Sequence, residues 1–388
     1  MPTVVILVND PSLGGTSRSA VQFARCWRSI GFEVWILPTS TLHPSRVDEA
    51  EQAGATVLRD SGARPPKIDV VHFHHTTIEP LALEVLAQLL ASDETGSHPR
   101  LLTHNIFAED DCALDELPVS RTVGLMSGWC SLQYRSATGI RLSSRTRIIE
   151  LPNPQNDRYF RPPSRQEWVS ARQRFAGGAE RVLLRIGSPI DSKWHSSYIE
   201  LATRLPSSWL LVLVGCPPEL CRKLEPFQNV IVQPSVSDDA VLREYYWSAD
   251  VFVHAAQKGE SFGNVIHESL LCGTPVVYYN RPFRDNSPIV LGSIDGFVHE
   301  STPSKWVSRC LAVESGSKVG RGEVVSISGR DAVARKLKEW FEGTDYSTPS
   351  MGVALLYWPF IFAGNNALAR IMKKQLHRLR KTRATRRS

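Results

Sequence analysis

The sequence predicts an α/β protein built from two doubly wound, parallel-sheet domains, and three observations carry that expectation. Strand-length apolar runs alternate with helix-length stretches, the alternation occurs twice, and a proline-rich break of different character separates the two occurrences. The strand candidates are apolar throughout and do not alternate with polar residues, as buried parallel strands covered by helices on both faces require.

In the first series, Val4–Val8 leads to a helical Ser17–Ile30 and then Glu33–Leu37. Val70–Phe73 leads to Ile78–Leu90 and then Leu101–Thr103. In the second, Val182–Ile186 precedes Ser197–Leu205 and Leu210–Val214. Val230–Val232, a helical Asp239–Trp247, Val251–Val253, a helical Val265–Leu271 and Val276–Tyr279 follow. Between them lies Leu151-Pro152-Asn153-Pro154, where two prolines enforce extended backbone, so the interdomain crossing falls there. The expected domains are residues 1–152, 153–345 and a C-terminal segment 346–388.

A chain of 388 residues exceeds one ordinary core, and 42% hydrophobic with 22% charged residues is ordinary for a globular protein. The seven cysteines are scattered and form no CxxC pair, which argues against a disulfide framework or structural zinc and fits a reducing cytosol. Cys272, beside a helix end, reads as a small packed hydrophobe. The N-terminus reads as a first strand and not a signal peptide, and the apolar run Gly352–Gly364 is shorter than a membrane span and broken by Pro359.

The net charge of +6 belongs to one end of the chain. Residues 370–388 carry nine Lys or Arg and no acid, so residues 1–369 carry 6 − 9 = −3. Three uses of this segment stay open. Met351–Leu368 can cross back onto the first domain, the aromatics and cations can lie on an anionic membrane, or the tail can be disordered and soluble. Nucleic acid ranks lower, because no aromatics are interleaved after Arg370 to stack bases.

The residues with chemical promise fall at strand ends. Glu260 and Glu268 are separated by seven residues, with Ser261-Phe262-Gly263-Asn264 opening a helix between them. Bare amides at a helix N-terminus suit a diphosphate, and carboxylates beside them suit sugar or ribose hydroxyls. Paired carboxylates also serve glycoside hydrolysis, although one in a loop and one on a helix is a less natural arrangement for it. Lys193, after Gly187-Ser188, is placed to meet a diphosphate, with a solvated surface lysine as the alternative. Gly14-Gly15 allow close backbone approach, and Thr16 or Ser17 can cap the helix that follows. The loop is neither a GxGxxG fingerprint nor a P-loop, and a plain turn is the alternative. His72, His74, His75 and His104 end two strands. His104 is the better acid–base candidate, with a satisfied structural role as the alternative for each of these histidines, and a zinc reading of His72 and His74 lacks a third ligand.

Taken in order, NDPSLGGTSRS, DVVHFHH, LLTHN, LPNP and above all ADVFVHAAQKGESFGNVIHESLLCGTPVVYY resemble glycosyltransferase family 4 over most of residues 1–345. The resemblance implies a GT-B fold: two Rossmann-like, doubly wound domains facing across a cleft, the first binding acceptor and the second a nucleotide-diphosphate sugar. It implies that Glu268 holds the ribose, Glu260 the donor sugar, and the Phe262–Asn264 amides sugar and phosphate. Lys193 would neutralise the leaving diphosphate, Gly15 would face it from the other domain, and His104 would lie near the transferred sugar. It further implies retention of configuration, no metal and no other cofactor, and a glycan or lipid-linked acceptor at the cell envelope. The location implied is cytoplasmic, with the inner membrane face as an extension. A non-catalytic GT-B-like scaffold, an epimerase and a phosphorylase are the alternatives. One departure stands out. The family has Gly-Arg where this chain has Gly187-Ser188, and a hydroxyl replaces neither the charge nor the fork of a guanidinium. Either Arg185 or Arg284 substitutes, or the donor is held differently, or activity is reduced.

Overall fold

The computed structural model describes residues 1–344 except 10–13, 59–64, 77, 92–95, 110, 128–129, 132, 135–144, 281–284 and 315, and omits the side chains of Cys112 and Ile289. Residues 345–388, with the run 352–364 and the basic tail, lie outside the described residues, as does Arg284.

Two parallel sheets form. The first contains β1 (Thr3–Val8), β2 (Glu33–Pro38), β3 (Thr56–Val57), β4 (Val70–His75), β5 (Arg100–Asn105), β6 (Arg121–Leu125) and β7 (Thr146–Glu150), in the order β3-β2-β1-β4-β5-β6-β7. The second contains β8 (Arg181–Ile186), β9 (Trp209–Val214), β10 (Val230–Gln233), β11 (Val251–His254), β12 (Val276–Tyr279) and β13 (Phe297–Glu300), in the order β10-β9-β8-β11-β12-β13. In each, the chain winds outward from the first strand and then returns beside it to wind the other way. The sheets therefore have switch points at β1/β4 and β8/β11, and a crevice opens at the carboxyl ends of those strands.

The apolar strands are buried on both faces. Along β8, Val182, Leu184 and Ile186 join the cluster containing Tyr246 and Leu270, while Leu183 joins the one containing Trp194 and Trp306. The period of two places alternate side chains under opposite helix layers. The helix Arg165–Ala176 begins with a capping box, in which Ser164 and Glu167 satisfy each other's main-chain amides.

Near residue 330 the chain comes back to the first domain. At the Leu151–Pro154 crossing, Gln155 pairs with Gly329, and its amide donates to the Ser328 carbonyl at 2.7 Å. From there the helix Arg330–Glu342 packs on the first domain: Trp340 lies 6.2 Å from Trp27 and donates to the Thr122 hydroxyl at 3.0 Å, and Phe341 meets Phe32 edge-on. Trp340 and Phe341 provide the apolar area that holds the helix there. Among the described residues, no helix is long and apolar enough to cross a membrane.

Candidate functional site

The second sheet's switch point carries the first group of residues. After β11 the chain runs through Glu260 and Ser261 to Gly263, which sits at φ +78° before the helix Asn264–Leu271. That backbone conformation favours glycine, and a Cβ there, 2.6 Å from Ile266 Cδ1, would also force the isoleucine to shift. Gly263→Ala is expected to cost about 1–3 kcal/mol, read as a lower melting temperature; an unchanged melt would contradict the assignment. The loop is splinted from the segment after β12. Asp285 accepts from the Glu260 amide at 2.8 Å and from the Tyr278 hydroxyl at 2.7 Å, and Asn286 donates to the Ser261 carbonyl at 2.7 Å.

Glu260 is nearly buried, with Lys193 Nζ 2.9 Å from Oε2 and His254 Nε2 3.5 Å from Oε1. Burial alone would raise its pKa, but the Lys193 ammonium and the His254 ring overcome that and hold the carboxylate well below its ordinary range. His254 is lowered to about 4, by burial and then by the Arg185 guanidinium nearby. Arg185 does not extend toward a ligand. It is buried over the Trp194 ring, and its two terminal nitrogens donate to the Ile186 carbonyl at 2.6 Å and the Lys193 carbonyl at 2.8 Å. Its guanidinium packs against Gly187, where an added Cβ would lie 3.2 Å from Nη2. Arg185 thus braces the Gly187–Lys193 loop from beneath, while Ser188 is exposed on it.

Glu268 is buried one helical turn further in. Oε1 accepts from Arg18 Nη1 at 2.8 Å and Oε2 from the Tyr246 hydroxyl at 2.9 Å, while Arg18 Nη2 lies 2.7 Å from Asp239. Burial raises the Glu268 carboxyl, against the pull of Arg18. Arg18 belongs to the helix Gly15–Ser29 that leaves β1, so this ion pair joins the two switch points across the cleft. The same junction brings Gly15 to Asn264: a Cβ on Gly15 would lie 3.3 Å from Asn264 Nδ2, which itself donates to Ser19 at 3.3 Å. The residue that opens each helix, Gly14 or Gly263, is a glycine and has no side chain with which to cap it. The expected cap from Ser17 is not formed; its hydroxyl donates to the Gly14 carbonyl at 3.2 Å. Phe262 crosses the cleft too, packing among Val123, Leu125, Met126 and Ile148 of the first domain and stacking on His267 at 4.0 Å. Ser127 of the first domain also hydrogen-bonds Asn286.

His104 lies at the carboxyl end of β5, one residue before its last, but it is fully buried, with no ring nitrogen toward the cleft. Nε2 lies 3.0 Å from the Leu151 carbonyl and Nδ1 2.8 Å from His74 Nδ1, and burial lowers the ring to about 3. A carbonyl only accepts, so the neutral ring carries its proton on Nε2 and accepts from His74 at Nδ1. His72 accepts from Trp27 Nε1 at 3.1 Å through Nδ1, which places its proton on Nε2. His104 supplies the third histidine that a zinc reading lacked, since donor atoms of His72, His74 and His104 lie within 4.8 Å of one another. The lone pairs of His72 and His104 are used in these hydrogen bonds, which leaves only His74 Nε2 to offer one to a cation. As built, the cluster is packing under Phe23, whose ring meets His72 and His104 edge-on.

Sequence reasoning missed Arg18, Tyr246, His254, Asp285 and Asn286. His254 had a visible signal, as the polar last residue of an otherwise apolar strand at a carboxyl end. Arg18 lies inside the quoted NDPSLGGTSRS run, one helical turn after Gly15.

Residues 180–313 match a family model described as glycosyl transferases group 1. A comparison with curated protein sequences gave no match. Among solved structures, Anabaena HepE in complex with UDP and glucose is similar with a TM-score of 0.69 at 13% identity, over 88% of this chain and 100% of that one. A glycosyltransferase from Rickettsia africae matches with a TM-score of 0.67 at 16% identity, over 88% and 98%. The apo form of the lipopolysaccharide outer core galactosyltransferase WaaB matches with a TM-score of 0.58 at 13% identity, over 89% and 100%. The fold is therefore α/β and GT-B, two Rossmann-like parallel sheets with helices.

Proposed function

We propose that this chain is a glycosyltransferase that moves a sugar from a nucleotide-diphosphate sugar to a cell-surface polysaccharide, lipopolysaccharide or lipid-linked acceptor, with retention and without a metal. The observation that carries the reading is the meeting of two glycine-opened helix N-termini, with Gly15 against Asn264 and Glu268, Glu260 and Lys193 around them. Two positive helix ends facing one another attract a diphosphate, and the flanking carboxylates are acceptors for hydroxyls. The match to glycosyl transferases group 1 covers Glu260, Glu268 and Lys193, and the similar Anabaena structure contains UDP and glucose.

In this reading Glu268 takes the ribose hydroxyls and Glu260 those of the donor sugar. Lys193 moves from Glu260 toward the diphosphate as negative charge develops on the leaving group. The amides from Phe262 to Asn264 contact sugar and phosphate, Ser261 and Gly187-Ser188 border them, and Gly14-Gly15 close from the other domain. His104 shapes the first domain's wall from behind. The basic segment 370–388 would hold the protein at an anionic inner membrane face where lipid-linked acceptors lie.

A thermal-shift panel of nucleotide sugars tests the reading. Ligand at 100 times its Kd should stabilise by about 2.7 kcal/mol, and Glu268→Ala should abolish the shift. No response to any nucleotide diphosphate would overturn the reading in favour of a non-catalytic scaffold, the alternative that Ser188 and the inward Arg185 favour.

A further inference from the structure

In the proposed site the Gly187–Lys193 loop offers Lys193 as a cation and Ser188 adds none, while the opposite domain brings Arg18 to the same junction. Of the arginines that sequence suggested, Arg185 is fully buried with both terminal nitrogens on main-chain carbonyls. Arg18 instead lines the small cavity shared by Asn264, Glu268, Gln155 and Phe160. It stands one turn inside the helix that begins at Gly15, and helical side chains lean toward their own N-terminus. The guanidinium is held by Glu268 Oε1 at 2.8 Å and Asp239 Oδ1 at 2.7 Å. Glu268 is only 2% exposed, and its other oxygen accepts from Tyr246. A ribose cannot reach Glu268 while Arg18 occupies it.

We infer that Arg18 is a donor-binding residue that exchanges partners: the ribose displaces it from Glu268, and the freed guanidinium turns to the diphosphate at Gly15. The inference rests on the nucleotide-diphosphate reading above. It replaces the missing arginine with one whose planar fork suits phosphate oxygens. It also makes the two halves of the donor interdependent. The nucleoside competes with the Arg18–Glu268 pair, and the diphosphate compensates for breaking it. Asp239 keeps one edge of the guanidinium fixed and limits the turn to the other edge.

Calorimetry with UDP, ADP, GDP and TDP and with their parent nucleosides separates the possibilities, using the full chain and its Arg18→Gln and Arg18→Lys variants. The expected result is a diphosphate affinity about 10- to 100-fold weaker in Arg18→Gln, partly restored in Arg18→Lys, with nucleoside affinity unchanged or tighter. Equal or tighter binding of both ligand classes would show Arg18 to be only a latch and would overturn the inference. If Arg18→Gln fails to fold, Arg18→Lys decides: it keeps the charge but loses the fork, so an unweakened diphosphate affinity in it counts against the exchange. A wild-type chain that binds none of the diphosphates overturns the donor reading itself, a separate outcome from loss of selectivity in the variants.

Discussion

Glu260→Ala is expected to lower kcat by about 10²- to 10³-fold with little change in donor KM, whereas Glu268→Ala should raise donor KM strongly. The split follows from where each carboxylate lies. Glu268 sits on the helix Asn264–Leu271 and meets groups from the other domain, so its loss weakens binding. Glu260 lies in the splinted loop with Lys193 and His254, where in the proposed reaction charge would develop as the diphosphate leaves. Its loss removes an interaction that matters most in the transition state. Lys193 is 32% exposed at its side chain, so water can take over its charge in the variant and the fold should survive. Steady-state kinetics with a nucleotide sugar, alongside a melting curve, check both. Unchanged kinetics in both variants would refute the site assignment.

Acid should unfold the protein between about pH 6 and 5, through histidines rather than carboxylates. His104 and His267 are lowered to about 3 and His254 to about 4, chiefly by burial, and His72 and His74 are lowered well below the ordinary value. A folded-state pKa below the unfolded one means that, as pH falls below about 6.5, the unfolded chain binds protons that the folded chain refuses. Stability is therefore intact above that pH and declines through the window down to about 4. At pH 5 each ring that stays neutral in the fold costs about 2 kcal/mol. His104, His267 and His254 together reach the lower end of an ordinary folding stability of about 5–15 kcal/mol, and His72 and His74 act in the same direction. Glu260 has the opposite dependence: its contribution is present above the ordinary carboxylate range and is lost only at lower pH, so it does not offset the loss in this window. Urea midpoints measured from pH 7.5 to 5 should fall steeply; a flat series would disprove the account.

Much of this architecture was legible because buried parallel strands leave an unmistakable apolar signature. β1, β4, β8, β9, β11 and β12 all lie where the apolar runs predicted. β6, with Arg121 and Thr122, and β7, with Thr146, Arg147 and Glu150, are too polar to stand out; their neighbours, not their composition, make them strands. The returning helix Arg330–Glu342 carries two adjacent aromatics, but only the tertiary fold shows that they meet Trp27 and Phe32. At the site, Glu260, Lys193 and Glu268 were readable because strand ends can be found locally. Arg18 acts on a residue 250 positions away, which no local pattern reveals. His104 illustrates the same limit: the register that sets His104 beside His74 decides that its nitrogens face inward.

Phe262 gives the protein a mechanical property. Its ring stacks on His267 of its own domain and also lodges among Val123, Leu125 and Met126 of the other, two residues from Glu260. Parting the domains would expose the face turned to those three residues, at a cost of up to about 3 kcal/mol. The same motion would pull directly on the chain carrying Glu260. Phe262 therefore couples the closeness of the two domains to the loop that carries Glu260.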